Sequence, residues 1–294
     1  MNLTSLRHRI YADFLMPSRL GAYRRLLELA LGAGYRVVSI ETFWQLIVGN
    51  AVDPGERYLV LRHDVDTDPA TARAMWAIER GLGVESSYYF RLSTTDLGLM
   101  RDIAEGGSHA SYHYEELATI AKQRRLRRAT DVLAHLPEAR ARFQENLGRL
   151  RASTGLPMRV VASHGDFVNR AVGVANRAIL EGPGFRHEVG VDLEVYDEAF
   201  VSQLTSRYSD THHPRYWVSA DPQAGIARGE AVIQVLVHPR HWRVHRLVNA
   251  ADDVRRVAEG LAYRLPSRPA DPIGRPPEPR PGTPPGRDPD VPAR

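Results

Sequence analysis

Tyr58-Leu59-Val60-Leu61-Arg62-His63-Asp64-Val65-Asp66 is an apolar run that ends in charge. Its four leading apolar residues read as a short buried strand. In extended backbone alternate side chains share a face, so Asp64 and Asp66 are expected to point together from the strand's end. Two carboxylates side by side repel, and a cation or a shared proton is needed to hold them there. Three further strand-like runs end in histidine: Ser108–His113, Met158–His164 and Val232–His238. Carboxylates and imidazoles gathered at the ends of successive strands predict a divalent-metal site.

Outward from that stretch, strand-like and helix-like segments alternate. Residues 18–33 carry leucines at helical spacing, Tyr35–Ile40 reads as a strand and Glu41–Val48 as a short helix. Pro69 suits the first turn of a helix running to about Gly81, and Ser86–Leu92 is the next strand. A helix near 95–105 leads into Ser108–His113, and 115–154 reads as one or two long helices broken near Pro137. Residues 170–181 read as helical, and Ala250–Arg264 as a closing helix. Glu188–Leu193, Val201–Ser206 and Tyr216–Ser219 are the weaker strand candidates, Val232–Val237 a stronger one. The pattern predicts a mainly parallel α/β sheet or barrel, whose chemistry collects at the C-terminal ends of its strands.

Composition narrows the chemistry. The 294 residues suffice for a substantial core, and the apolar and charged fractions of 43% and 25% are those of an ordinary soluble chain. With no cysteine, disulfides, thiolate metal sites and cysteine nucleophiles are excluded. Lys122 is the sole lysine, so 38 of the 39 basic residues are arginine, a bias spread along the chain rather than gathered into a nucleic-acid footprint. The densest run, Arg124-Arg125-Leu126-Arg127-Arg128, reads as a solvated helix face. The N-terminus resembles neither a signal peptide nor a membrane span, which makes the cytoplasm the default expectation. From Pro266 on, eleven of the 20 prolines fall within 29 residues, so residues 265–294 are expected to be a disordered tail behind one domain spanning 1–264.

Several ligand systems compete for Asp64-Val65-Asp66-Thr67-Asp68. An EF-hand loop needs glycine and glutamate where Pro69 and Met75 stand, and so fails. An Asp-x-Asp of the sugar-nucleotide transferase kind leaves the histidines unexplained. A mononuclear hydrolase site explains both. The plainer alternative is a strand end whose aspartates cap the next helix, though capping needs one carboxylate and not two. His109 and His113 would lie roughly 13 Å apart on a strand, too far to share an ion, so His113 at the strand end is the better ligand. His164, at a corner beside Gly165, is the expected third ligand beside Asp66 and His113, with Asp166 orienting it. His238 sits at the tip of an apolar strand before Pro239, a position suited to a general acid, and Asp210 is placed to tune it. Trp217 and Trp242 are candidates to stack on a sugar ring, or to pack in the core.

These segments together resemble a known group. Leu61-Arg62-His63-Asp64-Val65-Asp66, Ser87-Tyr88-Tyr89-Phe90-Arg91, Tyr112-His113-Tyr114-Glu115, Ser163-His164-Gly165-Asp166, Tyr208-Ser209-Asp210 and Leu236-Val237-His238-Pro239 follow the order seen in NodB-homology polysaccharide deacetylases of carbohydrate esterase family 4, nearest their cytoplasmic, surface-polysaccharide-associated branch. The resemblance implies a distorted (β/α)7 barrel that removes an acetyl group from an N-acylated amino sugar or glycan precursor with a divalent ion, zinc foremost. It implies Asp64 as general base, Asp66 and His113 as metal ligands and His238 as general acid. His63 and Arg91, within the matching segments, are assigned with Trp217 and Trp242 to substrate binding. One departure stands out: the family's second motif histidine falls at Leu117, so His164 takes its place on the strand-end argument. A sugar-nucleotide transferase and a non-catalytic glycan binder remain the alternatives.

Overall fold

The computed structural model describes residues 3–265. The proline-rich tail expected beyond them lies outside the described residues. The architecture is mixed α/β around a strongly curled, half-barrel sheet. Its nine strands are β1 (Tyr35–Val38), β2 (Arg57–Val65), β3 (Ser87–Phe90), β4 (His109–Tyr114), β5 (Val160–Ser163), β6 (Leu193–Glu194), β7 (Ser206–Asp210), β8 (Trp217–Val218) and β9 (Val232–Val237). Seven run parallel in the order β6-β5-β4-β3-β2-β9-β7, with β8 antiparallel at the edge and β1 beside β2. The expected α/β barrel is thus present as an open curl: among the described residues no pairing joins β6 to the β7–β8 edge.

The nine-residue β2 organises the sheet. One of its edges pairs β1 through 57–60 and then β3 through 62–65, while the other pairs β9 through 58–63. Its side chains alternate. Leu59 and Leu61 enter a core with Tyr23, Leu26 and Leu27 of the helix Leu20–Gly32 and Met75 of the helix Pro69–Leu82. Tyr58 and Val60 enter a second core inside the curl, with Tyr89, Val160, Ala162 and Phe200. The same parity places Arg62, Asp64, Tyr89, Arg91, His113, Ala162, His164 and His238 toward the inside of the curl. A third core covers the outer faces of β3–β5, including Tyr88, Tyr112 and Phe143.

Local chemistry sets the element ends. Asp68 accepts from the Thr71 amide at 3.0 Å and caps the helix Pro69–Leu82, itself in a left-handed conformation (φ +59°) that aspartate tolerates better than most residues. One carboxylate of the acidic run is therefore a cap, which leaves Asp64 and Asp66 for other work. The region 115–154 divides into Glu116–Arg124, Ala129–Leu133 and Leu136–Thr154, and Pro137 opens the last helix rather than breaking one. Two expected strands differ. Residues 183–188 are helical and only Leu193–Glu194 pairs, while Glu198–Val201 is a helical turn ahead of β7. Short apolar runs do not separate strand from helix by periodicity alone. Among the described residues no helix is long and apolar enough to cross a membrane.

Candidate metal centre and active site

The inner-face side chains at the C-terminal strand ends meet in one pocket. Its cavity of about 180 Å³ is lined by Asp64, Asp66, Arg91, His164, His238 and His241, among others. Just beyond β2, Asp66 Oδ1 lies 3.3 Å from His113 Nε2 and 3.0 Å from His164 Nδ1, and the two ring nitrogens are 3.3 Å apart. Donors on a tetrahedral zinc at 2.0–2.2 Å sit about 3.3–3.6 Å from one another, close to this triangle. Asp66 Oδ1 is buried and makes no well-formed hydrogen bond, although two imidazoles face it. His113 Nδ1 is 3.0 Å from the Ala162 carbonyl; as a donor there, it leaves Nε2 with a free lone pair. The three residues fit a divalent cation. Burial opposes ionisation of Asp66, but the His164 and His113 imidazoles hold its carboxyl well below the usual range.

Two other acidic clusters among the described residues have every carboxylate oxygen hydrogen-bonded without an ion. In Asp210-His238-His241, Asp210 Oδ2 accepts from the His238 amide and the Trp242 indole, both at 2.8 Å. Its Oδ1 meets His238 Nδ1 at 2.7 Å. In Glu115-His164-Asp166, Glu115 is held by Arg91, while Asp166 caps the helix Phe167–Val172 and accepts from Lys122. Of these three clusters among the described residues, only that of Asp66, His113 and His164 keeps a buried carboxylate oxygen without a hydrogen bond.

Asp64 is buried beside that triangle, its Oδ2 3.6 Å from His113 Nε2. Both its oxygens accept from Arg62, at 2.8 Å each. Burial pushes its pKa up, yet the guanidinium outweighs this and keeps the carboxyl below its ordinary value. Arg62 is fully buried and faces the Tyr196 and Tyr89 rings. Sequence reasoning did not single it out, although it lies two residues before Asp64 on the same strand face. Opposite, His238 is oriented by Asp210. Burial lowers its pKa, but the buried carboxylate more than compensates and the imidazole is pushed up to about 9. His241 also reaches Asp210 at 3.1 Å.

Three substrate assignments need correction. His63 is fully buried on the opposite face of β2, stacked on Tyr88 at 3.9 Å and 2.9 Å from both Glu79 and the Tyr23 hydroxyl. The alternation that turns Asp64 inward turns His63 outward, beneath the helices. Trp242 is 1% exposed, packs on Tyr23 and donates to Asp210, so no face remains for a sugar. Trp217 packs edge-on against Trp242 and lies outside the pocket lining. Arg91 does line the pocket, but its guanidinium is committed to Glu115 and, at 3.4 Å, to the Asp66 carbonyl. Leu117 is fully buried in the outer apolar core, and His164, from the end of β5, stands in the triangle.

No family model matches the chain, and no curated protein does. Among solved structures it is similar to the Streptococcus pyogenes deacetylase PplD in complex with acetate, at 10% identity and TM-score 0.43, over 82% of this chain and 90% of that one. It is also similar to IcaB from Ammonifex degensii, at 16% identity and TM-score 0.41, over 63% and 80%. A third is a CE4 family pseudoenzyme from Bacillus anthracis, at 12% and 0.37, over 71% and 63%. The structural similarity is at low identity, and the similar structures include both a deacetylase and a CE4 family pseudoenzyme.

Proposed function

We propose that this protein is a metal-dependent deacetylase that hydrolyses the N-acyl amide of an amino sugar. The observation that carries the reading is the triangle of Asp66, His113 and His164, whose Asp66 Oδ1 makes no hydrogen bond, beside Asp64 and a His238 ring held by Asp210. Asp66, His113 and His164 would hold the ion, zinc by donor set, which supplies Lewis acidity toward an acyl carbonyl and the attacking water. Asp64, held by Arg62 beside the triangle, takes a proton from that water. His238 enters with its ring protonated and gives a proton to the departing nitrogen as the C–N bond breaks, leaving a carboxylate and an amine. Asp210 fixes the ring and stabilises its charged form, and afterwards His238 is recharged from solvent.

Metal content of the purified protein together with acetate release from N-acetylated saccharides tests this reading. Near-stoichiometric metal and turnover, both lost in His113→Ala, are expected; turnover that survives removal of the metal sinks it. The two-oxygen clamp on Asp64 favours one second reading, a metal-holding glycan binder whose base is too weakly basic to act. That reading predicts the same metal content and sugar binding with no acetate.

A further inference from the structure

The pocket's outer wall carries guanidinium groups that the proposed chemistry does not use. Arg255 and Arg256 come from the closing helix Arg246–Arg264, and Arg170 from the helix Phe167–Val172. Arg9 and Arg240 are matched by Asp13 and Asp253, with pair distances of 2.8–3.4 Å. That leaves Asp252, 6% exposed, to face both Arg255 at 2.6 Å and Arg256 at 3.7 Å while it also accepts from Arg240. With Arg240 already matched, one buried carboxylate between Arg255 and Arg256 leaves positive charge over. The Arg256 side chain makes no hydrogen bond among the described residues, and that of Arg170 has neither hydrogen bond nor ion pair there. Each brings a fork of N–H donors to the pocket with no protein acceptor for it. The carboxylates on the same wall are engaged elsewhere, since Asp166 and Glu259 both accept from Lys122.

We propose that Arg170, Arg255 and Arg256 form an anion subsite at the mouth of the pocket, so that the N-acyl sugar is taken as a phosphate ester. The inference rests on the deacetylase reading for the sugar and deepens it. A neutral glycan offers hydroxyls, weak acceptors that would leave those donors poorly served. A phosphate offers charged oxygens that match the planar guanidinium fork and neutralise the surplus. The ester arises either as a sugar monophosphate or as a sugar joined to a carrier through a diphosphate.

Calorimetric titration of the full metal-loaded chain tests this with N-acetylglucosamine, its 1-phosphate and its uridine-diphosphate conjugate, each at low and moderate salt. The phosphate-bearing sugars are expected to bind at least roughly tenfold tighter than the neutral one, with an advantage that shrinks as salt rises. Arg170→Gln and Arg256→Gln are each expected to lower that affinity about tenfold without changing the melting temperature. Tighter binding of the conjugate than of the 1-phosphate identifies the diphosphate-linked source, and the reverse the monophosphate. Equal affinity for neutral and phosphorylated sugar overturns the subsite, as does phosphate binding untouched in both variants, which would belong to the ion. Acetate release on the same samples separates the two ideas. Arginine-dependent phosphate binding without acetate from any sugar defeats the deacetylase and leaves the subsite standing. Equal turnover of neutral and phosphorylated sugars does the opposite.

Discussion

Replacing Asp210 with asparagine tests the proton donor most directly. The carboxylate is buried and sits between four N–H groups or ring nitrogens, two of them from His238. It is the principal reason His238 rises from 6.5 to about 9 against the opposing pull of burial. That rise of about 2.5 units corresponds to roughly 3 kcal/mol of preference for the charged ring, at about 1.4 kcal/mol per unit. An asparagine that keeps its oxygen toward the His238 amide and the Trp242 indole turns its NH2 toward Nδ1. The ring must then be an acceptor there, and neutral. His238 in Asp210→Asn is therefore expected to titrate well below 9, with burial opposed only by the more distant Asp66 and Asp64 carboxylates. The assay is the pH dependence of the His238 ring signals by NMR, assigned against His238→Gln, with the alkaline limb of the rate profile moving down alongside. For stability, a raised folded pKa contributes fully below 6.5 and is lost as pH climbs through 9. The carboxylate's own lowered pKa contributes above 3.8 and is lost in acid. Wild type should thus exceed the variant most between about pH 4 and 6.5, by up to roughly 3 kcal/mol, with the gap narrowing as pH rises through 9. A variant whose ring still titrates near 9 would refute the reasoning, because the charge held responsible would be gone.

Other outcomes follow from the same geometry. His113→Ala removes one vertex of the triangle and is expected to cost at least about tenfold in metal affinity by competition with a chelator; retention of wild-type metal would move the site elsewhere. Leu117→His is expected to lose about 2 kcal/mol or more of stability in urea titrations and to leave the metal content unchanged, because position 117 lies in the outer apolar core. Glu79→Ala strands His63 and three hydroxyls in the interior, and should lower unfolding free energy by about 3 kcal/mol or more. Arg62→Met leaves the buried Asp64 carboxylate uncompensated and should cost about 3–5 kcal/mol by the same measurement.

Alternation along single strands was legible from residues alone, and it carried far. A period of two on β2 and the histidines closing β4, β5 and β9 were enough to propose Asp66, His113, His164 and His238 together. The same rule, applied one residue earlier, would have excluded His63 and picked out Arg62. It was not enough where a side chain's partner lies on another element. The burial of Trp242 depends on the helix that brings Tyr23 against it, and the occupation of Arg91 depends on Glu115 beyond β4. The fates of 183–201 were decided by packing, since short apolar runs have no preferred period.

The chain by itself determined which residues stand at strand ends and which face they share, because backbone geometry makes that a local property. Folding decided how far the sheet curls, and so whether ends separated by 47 and 51 residues bring Asp66, His113 and His164 within 3.3 Å of one another. It also decided which carboxylates remain free, since a hydrogen bond from a distant strand or helix is invisible until the two surfaces meet.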